Sequence, residues 1–120
     1  MKLRLAICAF AALAAASPAF AHAYLQSSTP SAGSVLHAAP KTLLIIFTED
    51  IEVPFSGVTV TDAMGMNDVA GKPQAVPGHA NQLLVPLNIQ MPGKITVTWH
   101  ALSTDTHKTH GVFTFTVGGG

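Results

Sequence analysis

Apolar and polar residues alternate with a period of two near the C-terminal end of the chain. From Lys94 to Ser103, Ile95, Val97, Trp99 and Ala101 alternate with Thr96, Thr98, His100 and Leu102. From Gly111 to Val117, Phe113, Phe115 and Val117 alternate with Val112, Thr114 and Thr116. That period puts one face of a strand on a core and the other in water. It predicts two long strands, with Trp99 facing inward and His100 outward. Upstream, Thr42 to Thr48 is a strongly apolar run, Gly57 to Thr61 a third kind of short β run, and Tyr24 to Ser28 a first strand. Gln82 to Val85 follows Pro77-Gly78 as a short strand, and residues 69–76 are a weak candidate. Turn signals separate these runs, and no 3.6-residue period is sustained in this part of the chain. Seven short strands predict an all-β fold, a small seven-stranded Greek-key sandwich or barrel of Ig-like type in a single domain. The Trp and Phe residues are expected to fill its core.

The first residues read differently. Lys2 and Arg4 precede an unbroken apolar run from Leu5 to Ala16, Ser17-Pro18 breaks it, and Ala19-Phe20-Ala21 is an A-x-A cleavage site. This is a secretory signal over residues 1–21. The run is too short for a membrane span, which needs roughly 20 apolar residues. A mature domain over residues 22–120 would begin at His22. Nothing after it reads as a membrane segment, so the mature chain is expected to be soluble, in the periplasm.

Composition changes the picture in three ways. Only 10% of residues are charged and 48% are apolar, which excludes a disordered chain and a basic nucleic-acid binder. The lone cysteine, Cys8, leaves with the signal, and with it go disulfides, thiol redox chemistry and cysteine nucleophiles. All six histidines stay.

Cleavage after Ala21 would make His22 the new N-terminus. One residue then offers two nitrogens, the α-amine and ring Nδ1, and nitrogen donors in a square suit Cu(II). Taken alone, His22 reads more readily as an accident of cleavage than as a ligand. The second element is Ser103-Thr-Asp-Thr-His107, between the two best strands. Asp105 and His107 stand at i and i+2, so in an extended segment they point the same way. The step reads either as a metal edge or as an Asx-type turn with a surface histidine. If successive strands reverse direction, His22, the Glu49-Asp50 pair and the D-x-H turn fall at one end of the sandwich. His37, His79, His100 and His110 read as surface residues, with His110 also a spare donor.

Over residues 22–117 the chain resembles the periplasmic CopC-type copper-binding proteins of bacterial copper resistance and uptake. The resemblance rests on His22, Ser28-Thr-Pro-Ser-Ala-Gly-Ser34, Phe47-Thr-Glu-Asp50, Phe55-Ser-Gly57, Trp99, the Ser103–His107 run and Gly111-Val-Phe-Thr-Phe-Thr-Val117. It implies a Greek-key β fold and a Cu(II) site made by the amine and ring of His22 with Asp105 and His107. It also implies a supporting acidic residue at Glu49 and, as a partner, an inner-membrane copper transporter of the CopD type. Many relatives carry a methionine-rich loop that binds Cu(I) at the far end. Here the matching segment, Asp62-Ala-Met64-Gly-Met66-Asn-Asp68, has two methionines and no histidine. Met64, Met66 and Met91 read either as a thin Cu(I) site or as two loop methionines and a core filler. Some relatives are fused to a membrane transporter domain; ending at Gly120, this chain is expected to be a free form.

The expected function is a periplasmic Cu(II) carrier or sequestering protein, not an enzyme. Its rival is a copper monooxygenase built on an N-terminal histidine. That chemistry needs a flat aromatic-bearing face, whereas Trp99 lies on the predicted core side and Asp105 would disfavour reduced copper. A metal-free adhesion-type sandwich is a third reading.

Overall fold

The computed structural model describes residues 22–118; the expected signal over 1–21 and the last two glycines lie outside them. Eight strands run in chain order: β1 (Leu25–Thr29), β2 (Val35–Leu36), β3 (Thr42–Phe47), β4 (Gly57–Thr61), β5 (Gln74–Val76), β6 (His79–Pro86), β7 (Gly93–Leu102) and β8 (Lys108–Val117). They form two four-stranded sheets, ordered β1-β3-β6-β5 and β2-β8-β7-β4. Packed face to face, these make a sandwich of the Ig-like type expected.

The core lies between the sheets, and the period-two pattern builds it. Ile95, Val97, Trp99 and Ala101 of β7 face Phe113, Phe115 and Val117 of β8 across the register Ile95↔Phe115 and Val97↔Phe113. Leu43, Ile45 and Phe47 of β3 supply the opposite sheet, joined by Leu83 and Val85 of β6. Phe47 meets Trp99 edge to face, with ring centroids 5.2 Å apart and planes at 68°. That arrangement adds about 0.5–1.5 kcal/mol to the burial of the two rings.

Four departures from the expected elements have local causes. β2 is only two residues long and pairs in parallel with β8, through Val35↔Thr116 and Leu36↔Val117; two residues cannot display an alternation. The weak candidate over 69–76 contracts to β5, with a separate bridge Val69↔Leu87. β6 runs beyond Gln82–Val85 at both ends. β8 begins three residues before Gly111, because its first inward positions are not hydrophobic. Thr109 is buried yet polar, and Gly111 faces Trp99 so closely that a Cβ there would meet indole carbon Cζ2 at 2.6 Å. Phe55, expected in the core, is exposed on a 3-10 turn over Val53–Phe55. The turn contains no buried residue to pull it inward.

Candidate metal centre

The backbone around His22 is fixed by its neighbours. Ala23 is fully buried, and its carbonyl accepts a hydrogen bond from the hydroxyl of Thr109, 86 residues away on the other sheet. The Tyr24 amide donates to Thr48 Oγ1 at 3.0 Å, and the Thr48 amide donates to the Tyr24 carbonyl at 2.8 Å. Thr48 Oγ1 in turn donates to the His22 carbonyl at 3.0 Å. Two threonines, one just past β3 and one on β8, therefore lock the start of β1 in place.

The β7–β8 turn is organised around Ser103, which is almost fully buried. Its amide donates to the His107 carbonyl at 2.9 Å, its carbonyl accepts from the Thr106 amide at 2.9 Å, and its hydroxyl donates to Asp105 Oδ1 in a short bond. The Thr104 amide donates to the Asp50 carbonyl at 3.2 Å, and Ile51 bridges to Ser103. Segment 48–51 thus lies between the turn and residues His22–Tyr24. Thr106 adopts φ 71°, a left-handed conformation that a β-branched residue avoids. Such strain persists only where surrounding bonds over-determine the backbone.

Within this turn His107 Nδ1 lies 3.2 Å from Asp105 Oδ1. Asp105 is held below the ordinary carboxylate range, first by the Ser103 hydroxyl and then by His107, which together outweigh its partial desolvation. Both side chains stay accessible, at 42% and 46% exposure. The ring of His107 lies over that of His22, with centroids 4.4 Å apart and planes at 34°. The structure therefore brings His22 and the D-x-H turn together through His107. They form two contacting pairs rather than a finished cage: among the described residues no group of three or more His, Cys, Asp or Glu side chains is arranged to hold a metal ion. Glu49, next to Thr48, is exposed at this same end.

Tyr24 is the neighbour that pattern reading did not single out. Its phenol oxygen sits 3.4 Å from His22 Nδ1, and the two rings are 5.9 Å apart. The spacing of His22 and Tyr24, two apart in extended chain, was the available signal. Thr48, Ser103 and Thr109 were also unremarked as supports; Thr109 betrays itself as a polar residue in the inward phase of β8.

The methionines occupy the other end of β7. Met64 and Met66 flank a tight turn in which their amides both donate to Asp62 Oδ1, at 2.9 and 3.0 Å. A Cβ on Gly93 would lie 3.1 Å from the Ala63 side chain, which places Met91 at the same end. All three methionines are exposed, so Met91 is not a core filler. Beneath the turn Asp62 and Asp68 are buried together, and Asp68 Oδ2 has no hydrogen-bond partner. Burial, followed by the neighbouring Asp62, raises the Asp68 pKa. The backbone hydrogen bond from Met66 is the foremost cause lowering that of Asp62. His37, His79, His100 and His110 are exposed.

Comparison with known proteins gives a consistent answer. The family model for the CopC domain matches residues 25–118. Copper resistance protein C of Escherichia coli is 38% identical over 106 residues, covering 82% of this chain and 83% of that protein. The crystal structure of PcoC, a methionine-rich copper resistance protein from Escherichia coli, superposes with a TM-score of 0.70 at 34% identity, over 82% of this chain and 100% of that one. The crystal structure of CopC from Methylosinus trichosporium OB3b superposes with a TM-score of 0.74 at 26% identity, over 80% and 93%.

Proposed function

The chain belongs to the CopC family, and from that premise we propose that it is a periplasmic copper carrier whose Cu(II) is taken by His22, Asp105 and His107. The observation that carries this reading is the 4.4 Å approach of the His22 and His107 rings beside the Asp105 carboxylate. Two imidazoles, one carboxylate and the α-amine that signal cleavage after Ala21 would free make a nitrogen-rich set with one oxygen. Such a set suits Cu(II) better than soft or purely oxygen-seeking metals.

The geometry also suits a carrier. Metal binding requires deprotonated donors, and the Ser103 hydroxyl and His107 already favour ionised Asp105. The Thr48 and Thr109 bonds hold His22 where its ring meets His107, so little chain ordering is left for the metal to impose. The donors remain at the surface, where ligands of a membrane partner, such as a CopD-type transporter, can approach the same ion. Glu49, exposed at this end, would act on the bound ion through its charge. No catalytic step is assigned. Trp99 is 4% exposed and cannot offer the stacking face that a polysaccharide-cleaving rival needs.

The test compares protein beginning at His22 with the same protein carrying extra residues before His22. The extension moves the amine and removes one chelate arm, so Cu(II) affinity should fall by orders of magnitude, as it should in His107→Ala. Equal affinities for all three proteins would end the proposal.

A further inference from the structure

We infer that Tyr24 is a fifth, axial oxygen donor to the copper held at His22; the inference rests on the carrier reading above and deepens it. The backbone makes the placement. In the extended segment before β1, residues alternate sides: Ala23 is driven into the core, so His22 and Tyr24 project together from the opposite side. Thr48 then clamps Tyr24 through both its amide and its carbonyl. These bonds fix the backbone of Tyr24 beside His22, and the phenol, its ring half in solvent, meets His22 Nδ1 through its own oxygen.

The distance fits coordination. A nitrogen ligand lies about 2.1 Å from a divalent metal, so two such donors on adjacent corners of a coordination sphere stand about 3 Å apart. The His107–Asp105 donor pair is separated by 3.2 Å. The Tyr24 oxygen is 3.4 Å from His22 Nδ1, the ring nitrogen next to the α-amine in the chelate. A separation slightly longer than that of two equal bonds is what a normal nitrogen bond and a longer axial oxygen bond produce. Cu(II) prefers such a tetragonal arrangement, with four near donors and a distant fifth. Before copper arrives, the phenol touches the very nitrogen that must bind it. The hydroxyl turns from that nitrogen to the metal without the backbone moving.

Tyr24→Phe keeps the ring and removes only the oxygen, and Tyr24 is the single tyrosine of the chain, so every phenol signal belongs to it. The protein beginning at His22 is loaded with Cu(II) and its electron paramagnetic resonance and visible absorption spectra are recorded beside those of the variant. The expected result is a shifted copper spectrum in Tyr24→Phe, a perturbed phenol absorption on loading the unaltered protein, and affinity lowered by about tenfold. Superimposable spectra, with copper still lost from His107→Ala, would overturn the role of Tyr24 and leave the carrier reading standing. Copper retained unchanged by His107→Ala would overturn both.

Discussion

The two ends of β7 present donors in opposite ways. At the Asp105 end every donor-bearing segment is tied to another part of the fold. Thr109 holds Ala23 across 86 residues, Thr48 holds His22 and Tyr24, and Ser103 and Asp50 hold the turn. At the Met64 end only the backbone is held, by Asp62, and the methionine side chains stand 69% and 63% exposed. The first end spends polar contacts on fixing where nitrogen and oxygen donors sit. The second fixes a turn and leaves its sulfur atoms free to move. Preorganisation is therefore confined to one end, and that end is where metal affinity should reside.

The largest expected effect comes from cutting a tie at the fixed end. Thr109→Val conserves shape but takes the donor away from the Ala23 carbonyl in a buried site. Unfolding of the metal-free protein in urea should show a loss of about 1–3 kcal/mol. Cu(II) affinity should fall with it, because His22 loses one of its two anchors. A destabilised variant that binds copper as well as the parent would show that the position of His22 is not set by this bond.

A smaller effect of opposite sign is expected at the Met64 end. Asp68 is 7% exposed, and its pKa is raised by burial and by Asp62. A raised carboxyl contributes stability that is complete below its ordinary value of 3.8 and is lost as pH rises through the raised value. Asp68→Asn keeps a neutral group able to donate to Asp62 and removes that loss. The variant should be more stable than the parent at neutral pH, and the gap should close on acidification. Urea unfolding across the acid range checks it; an equally large gap below the ordinary carboxylate value would mean that the ionisation of Asp68 is not the cause.

The same contrast explains what the sequence could and could not disclose. Wherever burial follows side-chain period, as in Ile95–Ala101 or Phe113–Val117, the strand and its inward face were legible. So were His22, Asp105 and His107 as residues of one end, since strand direction alone carries them there. The signals failed where a buried position is filled by something other than a hydrophobe. Thr109 and Gly111 hide the start of β8, one because it is needed as a donor, the other because Trp99 needs its space. Ser103, Thr48 and the strained Thr106 stand inside recognisable motifs, yet no pattern marks them as supports: Thr48 bonds a segment far away in the chain, and Ser103 and Thr106 act through backbone and hydroxyl bonds that only the folded turn makes. The strand pattern makes Tyr24 the first residue of a strand, and its ring contact in the fold shows that it stands beside His22.

The smallest expected effect is the sharpest test of the contrast. Met64 and Met66 bury little surface, so replacing both with leucine should change stability by no more than about 0.5 kcal/mol. Their sulfur atoms are the soft donors that Cu(I) prefers, whereas the His22 end offers nitrogen and oxygen. Holding Cu(I) would require the two exposed side chains and Met91 to converge, at a cost of about 0.5–1.5 kcal/mol of ordering for each immobilised chain. No polar tie at that end offsets the cost, since the Asp62 bonds reach only the amides. Reduction of the copper-loaded protein with ascorbate, beside a weak Cu(I) chelator, should therefore release copper equally from the parent and from the Met64→Leu, Met66→Leu variant. Copper retained by the parent and lost by the variant would reverse the conclusion. Flexible thioethers would then suffice for a second site, and the tethering seen at the Asp105 end would be a requirement of Cu(II) alone.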